Sequence, residues 1–185
     1  MDINFKKFQK EAIIRSLGFE KYKYIVENLY KCDIRNNPKF QRYFNSFYIV
    51  RRDEKWRNEF YDYFQSIKKK KKITFGEILN ELYDRTGNIE ASFSSKMLST
   101  KNPNMPIWDK YVLKELNIKF DKNSNRIENT IKAYESIVLK EKELLKKEHV
   151  KKEIEQFRET FPEYEFSDTK ILDYMIWNND RIKEN

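Results

Sequence analysis

The amino-acid sequence predicts an all-α protein that folds as a single multi-helix domain. Apolar residues recur at intervals of three and four along most of the chain, which places them on one face of a helix. Only three glycines and four prolines occur in 185 residues, too few turn formers for the many hairpins of an all-β protein. Capping residues precede several of the apolar stripes. A chain of this length can bury one continuous core.

The first 70 residues predict four helices. A short first helix covers Phe8 to Leu17 and stops at Gly18. Pro38 suits the first turn of the third helix, where its missing N–H costs nothing, and Asp53 suits the N-cap of the fourth. The apolar stripes of the second to fourth helices are Tyr22, Ile25, Val26, Leu29 and Tyr30; Phe40, Tyr43, Phe44, Phe47 and Tyr48; and Trp56, Phe60, Tyr63, Phe64 and Ile67.

The middle of the chain predicts three more helices. Thr74 and Glu77 form a capping box that begins a helix ending near Gly87. The next helix spans residues 89–100, with serines on one narrow face, and a loop with two prolines follows it. A short helix then runs from Asp109 to Leu116.

The C-terminal part predicts a polar turn at 121–125 and a long helix from Ile127, whose stretch over 141–152 is largely solvated. A bend precedes Glu153, and Ser167 caps the final helix. One arrangement of these elements has two lobes around a cleft. The lobes would be residues 1–72 with the C-terminal helices, and residues 73–120.

Composition indicates an intracellular protein with a polyanionic partner. The net charge of +8 and the pI near 9.3 are typical of nucleic-acid binding, although some lysine-rich proteins are basic through composition alone. No window approaches the roughly 18–20 apolar residues of a membrane span, and the N-terminus lacks a signal-peptide core. Cys32 and His149 are the sole residues of their types, so neither a disulfide nor a zinc site is expected. The sequence predicts a cytoplasmic, bacterial or phage-type protein without metal or cofactor.

One segment carries a pattern related to known chemistry. It consists of Tyr83-Asp84-Arg85-Thr86-Gly87-Asn88-Ile89, then Ser95-Lys96-Met97-Leu98, then Pro106-Ile107-Trp108-Asp109-Lys110-Tyr111-Val112. This segment resembles the helix-hairpin-helix base-excision DNA glycosylases, in which a glycine-containing hairpin precedes an apolar helix, a loop and a catalytic aspartate in a Val-Asp-x-x-Val setting. Asp109 occupies the aspartate position, and its separation from Gly87 (109 − 87 = 22) is similar to that of the family.

The resemblance implies a double-stranded DNA partner, a catalytic role for Asp109 and a phosphate-binding role for the hairpin at Gly87. Breaking a glycosidic bond builds positive charge on the sugar, and a nearby carboxylate stabilises that charge or activates water. The chain departs from the family at two positions. Ile89 occupies the position of the second glycine of the family's hairpin. Ala91 occupies the position of the lysine that forms a Schiff base in bifunctional members. In this chain Lys96, further along the same helix, is the candidate substitute for that lysine.

Each candidate site residue also has a structural interpretation. Aspartate is among the best N-caps, so Asp109 begins a helix, acts in catalysis, or does both. Trp108 either stacks on an extruded base or belongs to the core. Lys96 is either an amine of lowered pKa, a phosphate contact, or an ordinary lysine on a solvated helix face.

Several cations are candidates for contact with the DNA backbone. The five lysines from 68 to 72 either supply salt-dependent affinity or form a solvated loop. Arg51 and Arg52, after the third helix, either contact phosphate, or interact with the helix dipole at its C-terminus or with the neighbouring Asp53. The candidate nucleic-acid-binding residues are Arg51, Arg52, Lys69, Lys70, Lys71, Gly87 and Lys101.

The sequence leaves two functions open. The first is a helical DNA-binding protein that excises or recognises a modified base, with Asp109 as the catalytic carboxylate. The second is a non-catalytic basic protein that binds nucleic acid or a protein partner, with Asp109 as a cap only. A cleft that contains Lys96, Trp108 and Asp109 favours the first function, and a flat or filled surface around Asp109 favours the second.

Overall fold

The computed structural model describes residues 18–120 and 126–183, with side chains described as far as residue 177. These residues form α-helices and no strand, so the all-α prediction is confirmed for them. The predicted helix over Phe8 to Leu17 and the turn over 121–125 lie outside the described residues. The helices are α1 (Phe19–Asn28), α2 (Pro38–Tyr48), α3 (Glu54–Ile67), α4 (Phe75–Thr86), α5 (Ala91–Lys101), α6 (Lys110–Glu115), α7 (Arg126–Leu144), α8 (Glu148–Thr160) and α9 (Asp168–Lys183).

Capping residues set helix ends where the sequence predicts them. Pro38 occupies the first turn of α2, and Asp53 caps α3 by accepting a backbone N–H at 2.8 Å. Thr74 and Glu77 form the capping box of α4. Gly87 ends α4 at φ 69°, a left-handed conformation that glycine adopts without steric cost. These predictions are confirmed because a cap depends on residues that are close in sequence.

Three boundaries differ from the prediction. Helix α1 ends at Asn28, so Tyr30 lies beyond it and is 54% exposed, instead of facing the core. Ile89 precedes α5, which begins only at Ala91. The long C-terminal helix breaks at residues 145–147, earlier than the predicted bend before Glu153. This break allows the apolar face of α8 to pack on α9.

An aromatic cluster joins α1 to the C-terminal helices. Phe19 is fully buried, and its ring centroid lies 4.7–5.6 Å from five other rings. Aromatic pairs at such distances contribute about 0.5–1.5 kcal/mol each beyond the burial of their area. The cluster therefore fixes the start of the described chain against its end. The five partner rings are Phe157, Phe161, Tyr164, Phe166 and Tyr174.

Helix packing brings distant segments around one point. Helix α1 packs on α2 and α5, α4 packs on α3, α5 and α7, and α9 packs on α6 and α8. The C-terminus of α2, the middle of α5, the N-terminus of α6 and one face of α9 consequently meet and enclose a pocket. The boundaries proposed for two lobes, at residues 72 and 120, stay a prediction.

Lys101 closes the C-terminal end of α3. Its ammonium donates hydrogen bonds to the carbonyl oxygens of Ile67 at 2.8 Å, Lys68 at 2.7 Å and Lys70 at 3.1 Å. The last carbonyls of a helix have no partner within the helix, so a cation there satisfies them and complements the helix dipole. Lys101 thus has a structural role, and its predicted contact with DNA stays a prediction.

We expect Lys101→Met to lower the thermal stability, because the substitution leaves the carbonyls at the end of α3 without their donor. An unsatisfied polar group costs about 1–3 kcal/mol when buried, and about 1 kcal/mol shifts the Tm by about 2–4 °C at this chain length. The exposed Lys69 of the same loop gives the control Lys69→Met, which should leave the Tm nearly unchanged. Circular-dichroism melts measure both, and equal Tm values would contradict the cap.

Candidate functional site

A pocket of about 750 Å³ opens where α2, α5, α6 and α9 meet. Its volume lies in the range of small-molecule sites. Lys96, Trp108 and Asp109, three candidates from the sequence, all line it, as does Arg51. Asp109 therefore lies in a cleft and not on a flat surface. The other lining residues are Gly18, Lys21, Ser46, Phe47, Tyr48, Ile49, Ser92, Ile107, Lys110, Tyr111, Leu113, Lys170, Asp173, Tyr174 and Trp177.

Lys96 is buried in the wall of this pocket. Only 9% of the residue is exposed, so the interpretation of a lysine on a solvated helix face is wrong. Its Nζ donates to the carbonyl oxygen of Tyr48 at 3.1 Å, at the C-terminus of α2. Burial lowers the pKa of Lys96 to about 8, and nearby Asp109 opposes this shift. Lys96 therefore releases its proton at a lower pH than an exposed lysine does.

Asp109 has the capping role that the sequence predicts. Its Oδ1 accepts the backbone N–H of Tyr111 at 2.9 Å and so begins α6. The side chain is half-buried and lines the pocket, where it lies close enough to Lys96 and Asp173 to shift the pKa of each. The cap bond occupies Oδ1 alone. Asp109 can therefore cap α6 and present a carboxylate oxygen to a ligand at the same time.

Trp108 belongs to the core and to the pocket. It is 8% exposed, and its ring meets Phe120 edge-on at a centroid distance of 5.0 Å. Its backbone N–H donates to Ser95 Oγ at 2.7 Å, which ties the loop before α6 to the small-residue face of α5. The core interpretation is confirmed by this burial. Contact of Trp108 with a base stays a prediction.

The α9 side of the pocket was not predicted from the sequence. Lys170, Asp173, Tyr174 and Trp177 line it at positions i, i+3, i+4 and i+7, which is the spacing of one helix face. This spacing was the available signal, because charged side chains within an otherwise apolar stripe are unusual in a core helix. Asp168 and Asp173 are five residues apart on α9 and do not share a face. Asp168 is exposed and forms an ion pair with Arg158.

The ammonium of Lys170 is buried among aromatic rings and acids. The residue is 2% exposed, and Nζ lies 3.7 Å from Asp173 Oδ2 and 4.6 Å from the ring centroid of Tyr22. Burial lowers the pKa of Lys170, an effect that Asp173 opposes. Burial also raises the pKa of Asp173, against the opposing influence of Lys170.

Glu141 of α7 extends this buried charge cluster. The sequence predicted a solvated stretch from 141 to 152, but Glu141 is 2% exposed, so the prediction is wrong at this residue. Neither of its carboxylate oxygens makes a hydrogen bond with the described residues. Burial raises the pKa of Glu141 well above 4.5, and Asp173 adds to the rise. A buried carboxyl group without a donor is stable mainly in its protonated form.

Ile49 forms an exposed apolar point on the pocket rim. It is 50% exposed and adopts φ 54° and ψ 52° at the end of α2. The left-handed conformation costs a non-glycine residue roughly 1–2 kcal/mol, and it is unusual for a β-branched side chain. Arg51 follows two residues later, is also exposed, and also lines the pocket. Strain of this kind is often found at functional sites.

The other predicted nucleic-acid contacts lie outside the pocket. Arg52 forms an ion pair with Glu90 at 2.8 Å, and Glu90 also accepts from the indole of Trp56 at 3.0 Å. Lysines 69–71 are exposed. Gly87 is exposed, with nothing within 4 Å of the position that a Cβ would take, so the backbone angle and not a close contact favours glycine there.

No protein-family model matches the sequence, and neither a curated protein nor a solved structure matches it significantly. Over residues 18–120 and 126–183, no group of three or more acidic, histidine or cysteine side chains is placed to hold a metal ion. In the same part of the chain, no helix combines the length and apolarity needed to cross a bilayer. The chemistry of the pocket is therefore the basis on which a function can be inferred.

We expect Glu141→Gln to stabilise the protein at pH 8 and to have little effect at pH 4. With its raised pKa, Glu141 keeps a proton in the folded protein that the unfolded chain releases above about pH 4.5. The free energy of unfolding therefore falls as the pH rises from about 4.5 towards the raised pKa of Glu141. Glutamine does not ionise, so the variant does not undergo this decrease. Thermal melts at both pH values measure the effect, at about 2–4 °C for each kcal/mol.

Glu143→Gln is the matched control for this prediction. Glu143 lies on the same helix but is exposed, so the same substitution should give no pH-dependent gain in Tm. A Glu141→Gln variant whose change in Tm is the same at pH 4 and pH 8 would contradict the protonated state.

Proposed function

We propose that the protein binds double-stranded DNA, admits a nucleotide extruded from the duplex into the pocket, and hydrolyses its N-glycosidic bond with the help of Asp109. The observation that carries this proposal is the convergence of Lys96, Trp108 and Asp109 on one pocket. A base inside a duplex is out of reach of a recessed carboxylate, so the nucleotide must leave the stack first. The resemblance to helix-hairpin-helix glycosylases supports the same chemistry.

The pocket offers what this reaction needs. The bond between C1′ and the base breaks with its electron pair passing to the base, and positive charge develops on the sugar. The Asp109 carboxylate stabilises that charge, while water adds its hydroxyl group to C1′ and its proton goes to the departing base. Lys96, mostly protonated at pH 7, supplies a cation for the electron-rich base or a phosphate. Acting on cytoplasmic DNA, the protein requires only water as a second substrate.

Features outside the pocket support binding of the duplex. Exposed cations at Arg51 and lysines 69–71 can neutralise backbone phosphates and release counterions. Ile49 is an apolar side chain on the rim, of the kind that wedges between base pairs when a duplex is opened. In this proposal Ile49 fills the space that the extruded base vacates.

The test of catalysis is Asp109→Asn. Asparagine caps a helix as well as aspartate does, so the Tm and the DNA affinity should be retained while the charge is lost. We expect the rate of base release from duplexes with damaged or mismatched bases to fall by about 100-fold or more. Asp53→Asn, at the equivalent cap of α3 outside the pocket, should leave the rate unchanged.

The same experiment separates the two candidate functions. A wild-type protein that binds duplex DNA in a salt-dependent manner but releases no base from any substrate would favour the non-catalytic binding protein. A wild-type protein without measurable DNA affinity at low salt would contradict both versions.

We expect Ile49→Gly to raise the Tm and to slow base release. Glycine relieves the left-handed backbone strain of roughly 1–2 kcal/mol, but it removes the apolar wedge. Asn117→Gly is the control, because Asn117 is exposed, has φ 48° and lies after α6, outside the pocket lining. That variant should gain stability without losing activity. If Ile49→Gly releases the base at the same rate as the wild type, the proposed role of Ile49 as a wedge is wrong.

A further inference from the structure

Two polar groups on the pocket face of α9 lack a hydrogen bond of normal geometry with the described residues. Asp173 is 2% exposed, and neither of its carboxylate oxygens makes a hydrogen bond of normal geometry with the described residues. Its polar neighbours are Lys170 Nζ, 3.7 Å from Oδ2, and the backbone N–H of Ile107. The indole Nε1 of Trp177 is also buried and has no acceptor among the described residues. The two residues are four apart, so they lie on the same face of α9. Buried polar groups are almost always hydrogen-bonded, so these positions indicate a ligand that supplies the missing partners.

The surrounding charges restrict the kind of ligand. Lys170 Nζ lies 3.7 Å from Asp173 Oδ2, and Lys96 lies in the same pocket wall. The carboxylate is thus already paired with a cation, and a second cationic ligand would be repelled by two lysines. A neutral group with N–H donors satisfies the carboxylate oxygens without adding charge.

The geometry of a carboxylate restricts the ligand further. Its two oxygens accept best from two parallel N–H groups, as they do in a bidentate pair. Guanine carries two such neighbouring donors, N1–H and the 2-amino group, beside the acceptor oxygen O6. On adenine, cytosine and thymine, the position next to the N–H donor is an acceptor, which would face the second carboxylate oxygen and repel it.

We infer that Asp173 and Trp177 select a base of the guanine type, with Asp173 accepting from N1–H and the 2-amino group and Trp177 donating to O6. This inference rests on the proposed function, because it assigns the specificity of the same pocket. The inference concerns recognition of the base, whereas the proposed function concerns cleavage of the glycosidic bond, so either can be wrong without the other. Asp173 is here a specificity-determining residue, and Asp109 remains the proposed catalytic one.

The test compares two ligands that differ by one amino group. Isothermal titration calorimetry of the full chain with 2′-deoxyguanosine and 2′-deoxyinosine should show roughly tenfold tighter binding of deoxyguanosine, since inosine lacks the 2-amino donor. In Asp173→Asn the ratio of the two affinities should fall to about one. Asp168→Asn, the same substitution on the exposed face of α9, should keep the ratio of the wild type.

A purely structural role of Asp173 gives a different result, because its loss would weaken both ligands by the same factor and leave the ratio unchanged. That outcome overturns the inference, and so does a wild-type ratio near one, whether or not Asp173→Asn folds. Absence of binding to either nucleoside, or tighter binding of methylguanidinium than of deoxyguanosine, also overturns it. Nucleoside discrimination as expected without any base release supports the recognition role and removes the catalytic one.

Discussion

The Lys170 ammonium is buried among aromatic rings and one carboxylate, and the pocket depends on how that charge is accommodated. A lysine taken out of water loses several kcal/mol of hydration free energy, which a single ion pair at 3.7 Å offsets only in part. The faces of four rings, with centroids 4.6–5.9 Å from Nζ, supply further attraction. These rings come from α1, α2 and α9, so the cation fixes three helices at the pocket wall. They belong to Tyr22, Phe47, Tyr48 and Tyr174.

The two acids near this cation have different environments. Asp173 lies beside Lys170 and lines the pocket, whereas Glu141 approaches from α7 and does not line it. Burial raises the pKa of both carboxyl groups, and a second acid adds to each rise: Asp173 acts on Glu141, and Asp109 acts on Asp173. When two carboxyls share one cation, the acid with fewer partners holds the proton. Protonation of Glu141 therefore leaves the Lys170 charge available to Asp173, the acid that lines the pocket.

The sequence predicts features of this protein that depend on near neighbours. The caps at Asp53, Thr74 and Asp109 are confirmed, because an N-cap needs only a side chain and an amide two or three residues away. Burial of Glu141 was missed, and for Lys96 the sequence left both an amine of lowered pKa and a solvated lysine open, because burial depends on which helices pack together. Glu141 was assigned to solvent because it lies in a strongly charged stretch of the sequence.

The pocket was predicted only in part, since some of its residues are close in sequence and others are brought together by the fold. Asp109 and Trp108 were found because they belong to one contiguous segment, but Asp173 and Trp177 lie more than sixty residues further on, and only the fold brings them to the same wall. Their side chains still share a signal within α9, where a lysine, an aspartate and two aromatics follow the spacing of one helix face. Such a stripe is costly in a core, since each charge must find a partner. A buried helix that carries one is therefore expected to border a cavity, because polar groups there can be satisfied by a ligand as well as by the protein.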